Sequence, residues 1–497
     1  MAILYLFTGI AASASEFGWQ PFQTVEDEPS VSSVAYNRFF LDESDEEKSE
    51  KSEDSSESSL EKRLTNLEEK YDELSENYDS LSEANSELKA KIKHSAFTGH
   101  DGSTMRVRGR IHADHWAFPG DSPGVNAFEN GNPAISPQDR IGFRRLRFGV
   151  AGDLWQTMEY RIEMEFANGI SPEFRDAFLG WHDVPYLQTV LVGNQKRPYG
   201  LDHINSSNFN VFMERPFSIE GFNQDNRRLG IQSWAFSEDL AWNWRYGIFN
   251  QRLIQDEGNY ISDHYQDEYA GRLANTFWYD ETSGGRGYGH WAIAGSVANP
   301  DGSGTPGRAT NEARFQTRPE ARTSSRWLDT GVISGADDYQ LLALENVWNF
   351  GALQFVGEYQ NIWLDRKGFP DVEFFGGYAQ VAYFLTGEFM PWDRETGQLA
   401  RVQPLENFFL VDTCNDGIRG GWGAWQIAYR WSAADFTDQD ILGGVGRSHT
   451  LGLNWYWNAF ARMQFNASYG EIDEHAPVAG FTAGHYTTLG TRYMVDF

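Results

Sequence analysis

Beyond Gly99, apolar and polar side chains alternate along the chain with a period of two. In Thr104–Trp116 one set of alternate positions is apolar or small, with Met105, Val107, Gly109, Ile111 and Ala113, and the other is polar, with Arg106, Arg108, Arg110, His112 and Asp114. Further runs of about 8–12 residues repeat the pattern and end near Gly, Pro, Asn or Asp: Arg144–Ala151, Glu159–Phe166, Ala343–Phe350, Ala352–Trp363, Gly377–Leu385, Trp425–Trp431, Thr450–Trp457, Arg462–Tyr469 and the run ending at Phe497. Because successive side chains of a strand point to opposite faces, the pattern predicts many antiparallel strands.

Two of these runs are rich in charge. In Arg144–Ala151 the alternation groups Arg144 with Leu146, Phe148 and Val150, and groups Arg145 and Arg147 with Gly149 and Ala151. In Glu159–Phe166 it places Glu159, Arg161, Glu163 and Glu165 on one face. The sequence therefore predicts a face of the sheet on which arginines and glutamates are interleaved.

Before Gly99 the apolar period is 3.5 residues instead of two. Leu60, Leu67, Leu74, Leu81 and Leu88 occupy one core position, and Leu64, Tyr71, Tyr78, Asn85 and Ile92 occupy the other. No Gly or Pro occurs between Pro29 and Gly99. This predicts a coiled coil over residues 60–95, for which we favour a parallel trimer; the alternative is a single amphipathic helix packed on a domain.

The first residues have the character of an export signal and a linker. Ala2–Ala14 is apolar or small and ends in Ala12, Ser13 and Ala14, which suits a signal peptide over residues 1–14, although no Lys or Arg precedes Arg38. A buried N-terminal strand is the alternative. Residues 15–59 are predicted to form an acidic, serine-rich linker, because Asp42–Ser59 has too few apolar side chains to build a core.

The composition narrows the class of protein. The 497 residues carry 41 Lys+Arg against 71 Asp+Glu, a net charge of −30, which disfavours a nucleic-acid binder. No apolar run reaches the roughly 18 residues of a transmembrane helix, and the single cysteine, Cys414, excludes a disulfide framework. Residues 99–497 contain 30 Arg but only Lys196 and Lys367 as lysines.

Alternating strands build either a soluble sandwich or a membrane barrel, and three features favour the barrel. The runs are longer than ordinary strands, and aromatic residues lie at their ends: Trp116, Trp155, Trp181, Trp363, Trp431 and Trp457. The polar face carries Arg and Glu, which suits a water-filled lumen. The final run also ends on Phe497, as in bacterial outer-membrane barrels.

Several stretches, in order, resemble the phosphate-selective porin O and P family of outer-membrane trimers. They are Phe143–Gly152, Asp176–Gly180, Val192–Leu201, Phe212–Arg215, Gln380–Glu388, Gly423–Arg430 and Leu451–Asn458. The resemblance covers about residues 104–497 and implies a 16-stranded barrel, a homotrimer and passive uptake of small anions. The length agrees, since about 24 residues per strand and loop gives about 16 strands. The predicted fold is thus an all-β transmembrane barrel preceded by an α-helical coiled coil.

The candidate pore-lining residues are arginines. The strands contribute Arg106, Arg108, Arg110, Arg145, Arg147 and Arg161, and the predicted loop Asp301–Arg326 contributes Arg314, Arg318 and Arg322. Phosphate-selective members also line their constriction with lysines, which this chain lacks, so anion passage is expected but phosphate specificity does not follow. For each arginine the alternative is a structural ion pair with a glutamate of a neighbouring strand.

The predicted function is an outer-membrane porin that forms a water-filled channel for passive diffusion of small solutes, with a preference for phosphate-like anions. The expected partners are two further copies of the chain, the bilayer and its lipopolysaccharide, and the small anionic solute, with the coiled coil in the periplasm. The alternative is a structural tether, in which the coiled coil links the outer membrane to the cell wall. No cofactor, metal or enzymatic activity is expected, since Gly120, Ser122 and Gly124 match a nucleophile motif only within a loop.

Overall fold

The computed structural model describes residues 97–98, 103–155, 157–167, 172–223, 226–251, 266–300, 313–413 and 417–497. The predicted signal peptide, linker and coiled coil lie outside these residues, and so does the part of the predicted arginine loop up to residue 312. Within the described ranges, no helix has the length and apolar character that crossing a membrane requires.

Sixteen long antiparallel strands form one closed sheet, with the two-residue strand Phe97–Thr98 added to the edge of the first. In chain order they are β1 (Thr104–Asp121), β2 (Arg140–Leu154), β3 (Met158–Glu165), β4 (Glu173–Val184), β5 (Gln188–Lys196), β6 (Arg227–Phe236), β7 (Trp242–Asn250), β8 (Asp267–Tyr279), β9 (Gly287–Ala298), β10 (Ala336–Phe350), β11 (Leu353–Arg366), β12 (Val372–Phe384), β13 (Ala424–Asp438), β14 (Ile441–Tyr456), β15 (Ala461–His475) and β16 (Gly484–Asp496). The predicted barrel of 16 strands is therefore confirmed.

Each strand pairs with the next along the chain, and β16 pairs with β1 to close the barrel. The closing register runs from Arg110 opposite Asp496 to Asp121 opposite Tyr486. Along each strand the exposed positions are apolar and the buried positions are often polar: in β10, Leu344 and Trp348 are exposed, whereas Glu345 is buried. A soluble sheet shows the opposite arrangement, so the outer surface matches lipid and the inner surface matches water.

The two ends of the barrel differ in the length of their connections. At one end, called here the short-turn end, the strands are joined by brief turns such as residues 155–157, 185–187, 351–352 and 457–460. At the other, the long-loop end, the connections include residues 122–139, 197–226 and 299–335. In outer-membrane barrels the short turns face the periplasm. The connection of residues 385–423 is the exception, because it is long and belongs to the short-turn end.

Parts of the long connections fill the lumen. They include the helices α1 (Pro123–Asn130), α2 (Leu201–Ile204) and α3 (Phe217–Asn223) and the short paired strands Gln316–Thr317 with Leu328–Asp329 and Trp392–Asp393 with Gln398–Leu399. Phe217 and Phe222 of α3 are buried with Phe315 and Trp327, in a cluster that also contains Phe374 of the barrel wall. These packed connections occupy part of the lumen, so the remaining water-filled space lies along one side of the barrel wall.

The register of β2 departs from the predicted alternation at Arg144. His112 of β1 lies opposite Arg145 and Ala113 lies opposite Phe143, which leaves Arg144 as the extra residue of a β-bulge. The pattern grouped Arg144 with the apolar residues of β2, and this was wrong. Its Nε donates instead to Glu214 Oε1 at 2.8 Å, inside the barrel, because a bulge resets the period of two.

Candidate functional site

The lumen contains a cavity of about 970 Å³ whose lining is strongly basic. Among the described residues, fifteen arginines and Lys196 line it, against seven aspartates and glutamates. The chain as a whole has a net charge of −30, so this basic surface is a local property that the total charge does not reveal.

Eight of the nine predicted site residues line this one cavity. They are Arg106, Arg108 and Arg110 on β1, Arg145 and Arg147 on β2, Arg161 on β3, and Arg318 and Arg322 in the connection of residues 299–335. The ninth, Arg314, is not part of the lining, and its Nε donates to Asp329 Oδ1 at 2.9 Å. The strands bring the first six together because β1, β2 and β3 are adjacent and share an inner face.

Sequence reasoning missed several basic residues of the cavity. They are Arg144, Arg175, Lys196, Arg215, Arg227, Arg245 and Arg401. Three of them, Arg144, Lys196 and Arg215, lie in stretches that carried the family resemblance, so that signal was present. Of the others, Arg175 and Arg227 lie near the start of β4 and β6, and Arg401 lies in the connection of residues 385–423. Arg245 lies within β7, which was not among the alternating runs identified in the sequence.

Some of the strand arginines are held in an ion-pair network. Glu163 on β3 contacts both Arg110, at 3.2 Å, and Arg147, at 2.8 Å. Arg147 also donates through Nε to Glu165 Oε2 at 2.7 Å. In these three contacts an arginine forms a structural ion pair with a glutamate of another strand, which is the alternative given above for each arginine. Each carboxylate fixes the position of a neighbouring guanidinium.

A second set of arginines has no carboxylate partner within 4 Å in the described part of the chain. It comprises Arg106, Arg108, Arg145, Arg318, Arg322 and Arg326, all of which line the cavity, and it is called here the unpaired set. Burial, followed by the charges of Arg322 and Arg326, lowers the pKa of Arg318 to about 10. Burial and then the charge of Arg144 lower the pKa of Arg322 as well. Both shifts show positive charge crowded where water is scarce.

The connection of residues 197–226 is fixed inside the barrel by charge. Arg492 on β16 binds Asp114 through two hydrogen bonds of 2.7 Å and also donates to Glu214 Oε1 at 2.7 Å. Burial alone would raise the pKa of Glu214, but Arg144 and Arg492 hold it well below its usual range. Lys196 Nζ donates to the carbonyl oxygens of Ile204 and Asn205, at 2.7 and 2.8 Å, so its ammonium group helps to position the same connection.

The connection that carries Arg318 and Arg322 is fixed by two buried glutamates. The carboxylate of Glu129, in α1, accepts hydrogen bonds from the backbone N–H of Ser324 at 2.8 Å and the indole N–H of Trp327 at 2.9 Å. Glu320 lies in the same connection and pairs with Arg430 of the barrel wall at 2.7 Å. Carboxylates therefore hold the loop backbone, and the arginines between these contact points face the cavity.

The lumen has the chemistry of an anion pathway lined by guanidinium groups. In the described ranges no group of three or more His, Cys, Asp or Glu side chains could hold a metal ion. A guanidinium is planar, stays charged at neutral pH and offers several N–H donors that match the oxygens of phosphates and carboxylates.

The sequence profile of the family described as phosphate-selective porin O and P matches residues 106–497. The chain belongs to this family. The family resemblance of the sequence is thereby confirmed, and as a porin of this family the protein is an outer-membrane channel. Members of the family are channel proteins rather than enzymes.

Individual relatives are distant. The porin is 27% identical over 371 residues to an uncharacterized protein of Caulobacter vibrioides, covering 71% of this chain and 68% of that protein. It is 24% identical over 396 residues to porin O of Pseudomonas aeruginosa, covering 71% of this chain and 80% of the relative.

Solved structures with a similar barrel include two bacterial channels. An anion-selective porin from Comamonas acidovorans aligns with a TM-score of 0.48 and 13% identity, over 80% of this chain and 100% of that one. The outer-membrane channel DcaP of Acinetobacter baumannii aligns with a TM-score of 0.48 and 11% identity, over 81% of this chain and 99% of that one.

Proposed function

We propose that this porin admits small anions by passive diffusion through its lumen, along the surface formed by the unpaired set of arginines. The observation that carries the proposal is the combination of six guanidinium groups without a carboxylate partner and one shared cavity. An arginine already neutralised by a glutamate attracts an anion weakly. An arginine without such a partner offers both its charge and its N–H donors.

The local charge outweighs the overall charge in this argument. The barrel region is acidic in total, but permeant ions respond to the charges at the narrowest part of their path, where low-dielectric walls strengthen each interaction. Within the cavity, the paired carboxylates Glu163, Glu165 and Asp176 cancel Arg110, Arg147 and Arg227. The unpaired set adds to that neutral background, so the field in the cavity is positive.

The solute class that suits this lining is a small oxyanion. Phosphates and carboxylates accept paired, parallel hydrogen bonds from a planar guanidinium, one on each of two oxygens. Both lysines of the barrel region have other partners: Lys196 lines the cavity but donates to two backbone carbonyls, and Lys367 pairs with the Asp337 carboxylate. Recognition of the anion is therefore assigned to arginine alone.

The assembly is part of the same proposal. A homotrimer in the outer-membrane bilayer, in contact with lipopolysaccharide, is the arrangement that the family resemblance implies. The coiled coil predicted for residues 60–95 would reinforce that trimer from the periplasm. The alternative role for the same segment is a structural tether that links the outer membrane to the cell wall.

The test is the zero-current potential of the reconstituted porin across a KCl gradient. We expect the sign of an anion-selective channel, and we expect Arg318→Gln with Arg322→Gln to shift the potential toward zero without loss of the folded barrel. Arg447→Gln is the matched control, because Arg447 is exposed and does not line the cavity. A cation-selective sign that the double substitution leaves unchanged would refute the proposal.

A further inference from the structure

The connection of residues 385–423 divides into two halves with different surroundings. Its first half, residues 388–402, packs inside the barrel, where Met390, Trp392 and Leu399 are buried. The described part of its second half, residues 403–413 and 417–423, contains the paired strands Phe408–Thr413 and Gly417–Trp422 and is called here the rim hairpin. The two halves therefore place one segment of chain in the lumen and the next at the outer edge of the short-turn end.

A buried carboxylate joins the two halves. Glu388 is 3% exposed, and its Oε1 accepts a hydrogen bond from the backbone N–H of Leu405 at 3.0 Å. Its other oxygen accepts a hydrogen bond from the hydroxyl of Thr386, at the end of β12. The chain is thus fixed at the point where it passes from the inner half to the rim hairpin. A displacement of one half would therefore also displace the other.

The rim hairpin lies against the outer face of β13 and β14. The ring of Phe408 meets the ring of Trp455 edge-on with centroids 4.5 Å apart. The carbonyl oxygen of Trp422 accepts the indole N–H of both Trp425, at 3.2 Å, and Trp455, at 2.8 Å. Trp425 and Trp455 stack at 4.9 Å and alternate with inward polar residues, so they belong to the outer, lipid-facing surface.

Beyond these contacts the rim hairpin exposes large apolar side chains. Leu405 is 71% exposed, Phe409 is 63% exposed and Trp422 is 74% exposed. Phe409 also has a φ of 78°, in the left-handed region that residues with a side chain rarely adopt. Glycine would relieve this backbone strain, so a phenylalanine at this position points to a use for its ring.

We propose that the rim hairpin binds the headgroup interface of the periplasmic leaflet, through Leu405, Phe408, Phe409 and Trp422. The hairpin continues the lipid-facing wall of β13 and β14 without a break, and aromatic residues favour the level of the headgroups, where one side is apolar and the other is wet. None of the four residues of this binding surface lines the cavity. Through Glu388 it also keeps residues 388–402, and with them the lumen residues Gln398 and Arg401, in place.

Fluorescence of a single label tests the location of the hairpin. Cys414 is the only cysteine, so Cys414→Ser allows an environment-sensitive label to be placed at Phe409→Cys in the full-length porin reconstituted in phosphatidylcholine vesicles. We expect emission at shorter wavelength and a loss of intensity when the lipid carries bromine near the headgroup. Thr282→Cys is the matched control, since Thr282 is exposed in a polar turn at the same end, and its label should resemble one in water.

Two results would overturn the proposal. The label at position 409 could behave as the control does, which would place the hairpin in water. Oxidation of Phe409→Cys could instead join two copies by a disulfide, which would make the surface an interface between chains.

A substitution at the strained position provides an independent check. If the ring of Phe409 contacted only water, Phe409→Gly would relieve the backbone and leave the heat stability of the folded porin in vesicles unchanged or higher. We expect the opposite: the folded band on unboiled gels should be lost at a lower temperature than in the parent protein. An unchanged or higher temperature would contradict binding of the lipid interface.

Discussion

Arg144 and Glu214 form a two-point ion pair that joins the bulge of β2 to the connection folded into the lumen. Arg144 Nε lies 2.8 Å from Glu214 Oε1, and Nη2 lies 3.0 Å from Oε2. Arg492 of β16 contacts the same carboxylate at 2.7 Å. One glutamate of a loop therefore connects two strands of the wall, and the position of residues 197–226 depends on it.

Replacing Glu214 should loosen this connection. Glu214→Gln leaves Arg144 without a charged partner in a buried place, and breaking a buried pair in this way costs about 3 kcal/mol. We expect unfolding at a lower urea concentration in detergent micelles. Glu238→Gln, at an exposed turn position, is the control and should unfold with the parent protein. Coincident curves for all three proteins would mean that the ion pair does not stabilise the fold.

The same pair predicts a dependence of stability on pH. The folded pKa of Glu214 lies well below its ordinary value of 4.5, because Arg144 and Arg492 outweigh the effect of burial. The stabilisation is therefore present above pH 4.5 and is lost as the pH falls through the lower, folded pKa. The difference in unfolding free energy between the parent protein and Glu214→Gln should be constant near neutral pH and shrink on acidification. If this difference in unfolding free energy grew as the pH fell, the prediction would be contradicted.

Glu129 should control the arginine connection without touching a permeant ion. Glu129→Gln replaces a carboxylate that accepts hydrogen bonds from Ser324 and Trp327 with an amide that can offer one oxygen. We expect the loop to fluctuate, which should raise current noise and reduce anion preference in single-channel recordings. A quiet channel with the parent selectivity would show that Glu320 and Arg430 suffice to hold the loop.

Phe497 should matter for assembly. Its N–H donates to the carbonyl of Gly109 at 3.1 Å, and Gly109 N–H donates to Phe497 at 2.9 Å. A Cβ on Gly109 would lie 2.3 Å from the ring, so only glycine admits this contact without movement. Deleting Phe497 should lower the yield of heat-modifiable barrel in the outer membrane far more than deleting Ala479, a loop residue. Equal yields would argue that Phe497 is not needed for assembly.

The coiled coil remains a prediction of the sequence. A peptide of residues 58–95 should be helical and should melt at a temperature that rises with concentration, because isolated helices of this length are marginal in water. Leu74→Asp with Leu81→Asp should abolish this association by placing charge in the seam. A monomeric helix in sedimentation, before any substitution, would contradict the heptad interpretation.

The sequence alone determined the barrel and part of its lining. Alternation along Thr104–Trp116 was enough to assign Arg106, Arg108 and Arg110 to one face, since the period of a strand is a local property of the backbone. The family stretches added the number of strands. The period did not reveal the bulge at Arg144, because one extra residue in a strand leaves no mark in the pattern until its partner strand is known.

Only the tertiary structure decided which arginines have partners. Arg147 and Arg145 are two residues apart on one strand, yet Arg147 binds two glutamates, whereas the polar side-chain contact of Arg145 among the described residues is with His112, at 3.5 Å. Arg314 and Arg318 lie in one connection, yet Arg314 pairs with Asp329 while Arg318 faces the cavity. Charge pairing depends on distances across strands and loops that are far apart in the chain. The sequence therefore identified the arginines, and the fold determined which of them have charge available for an anion.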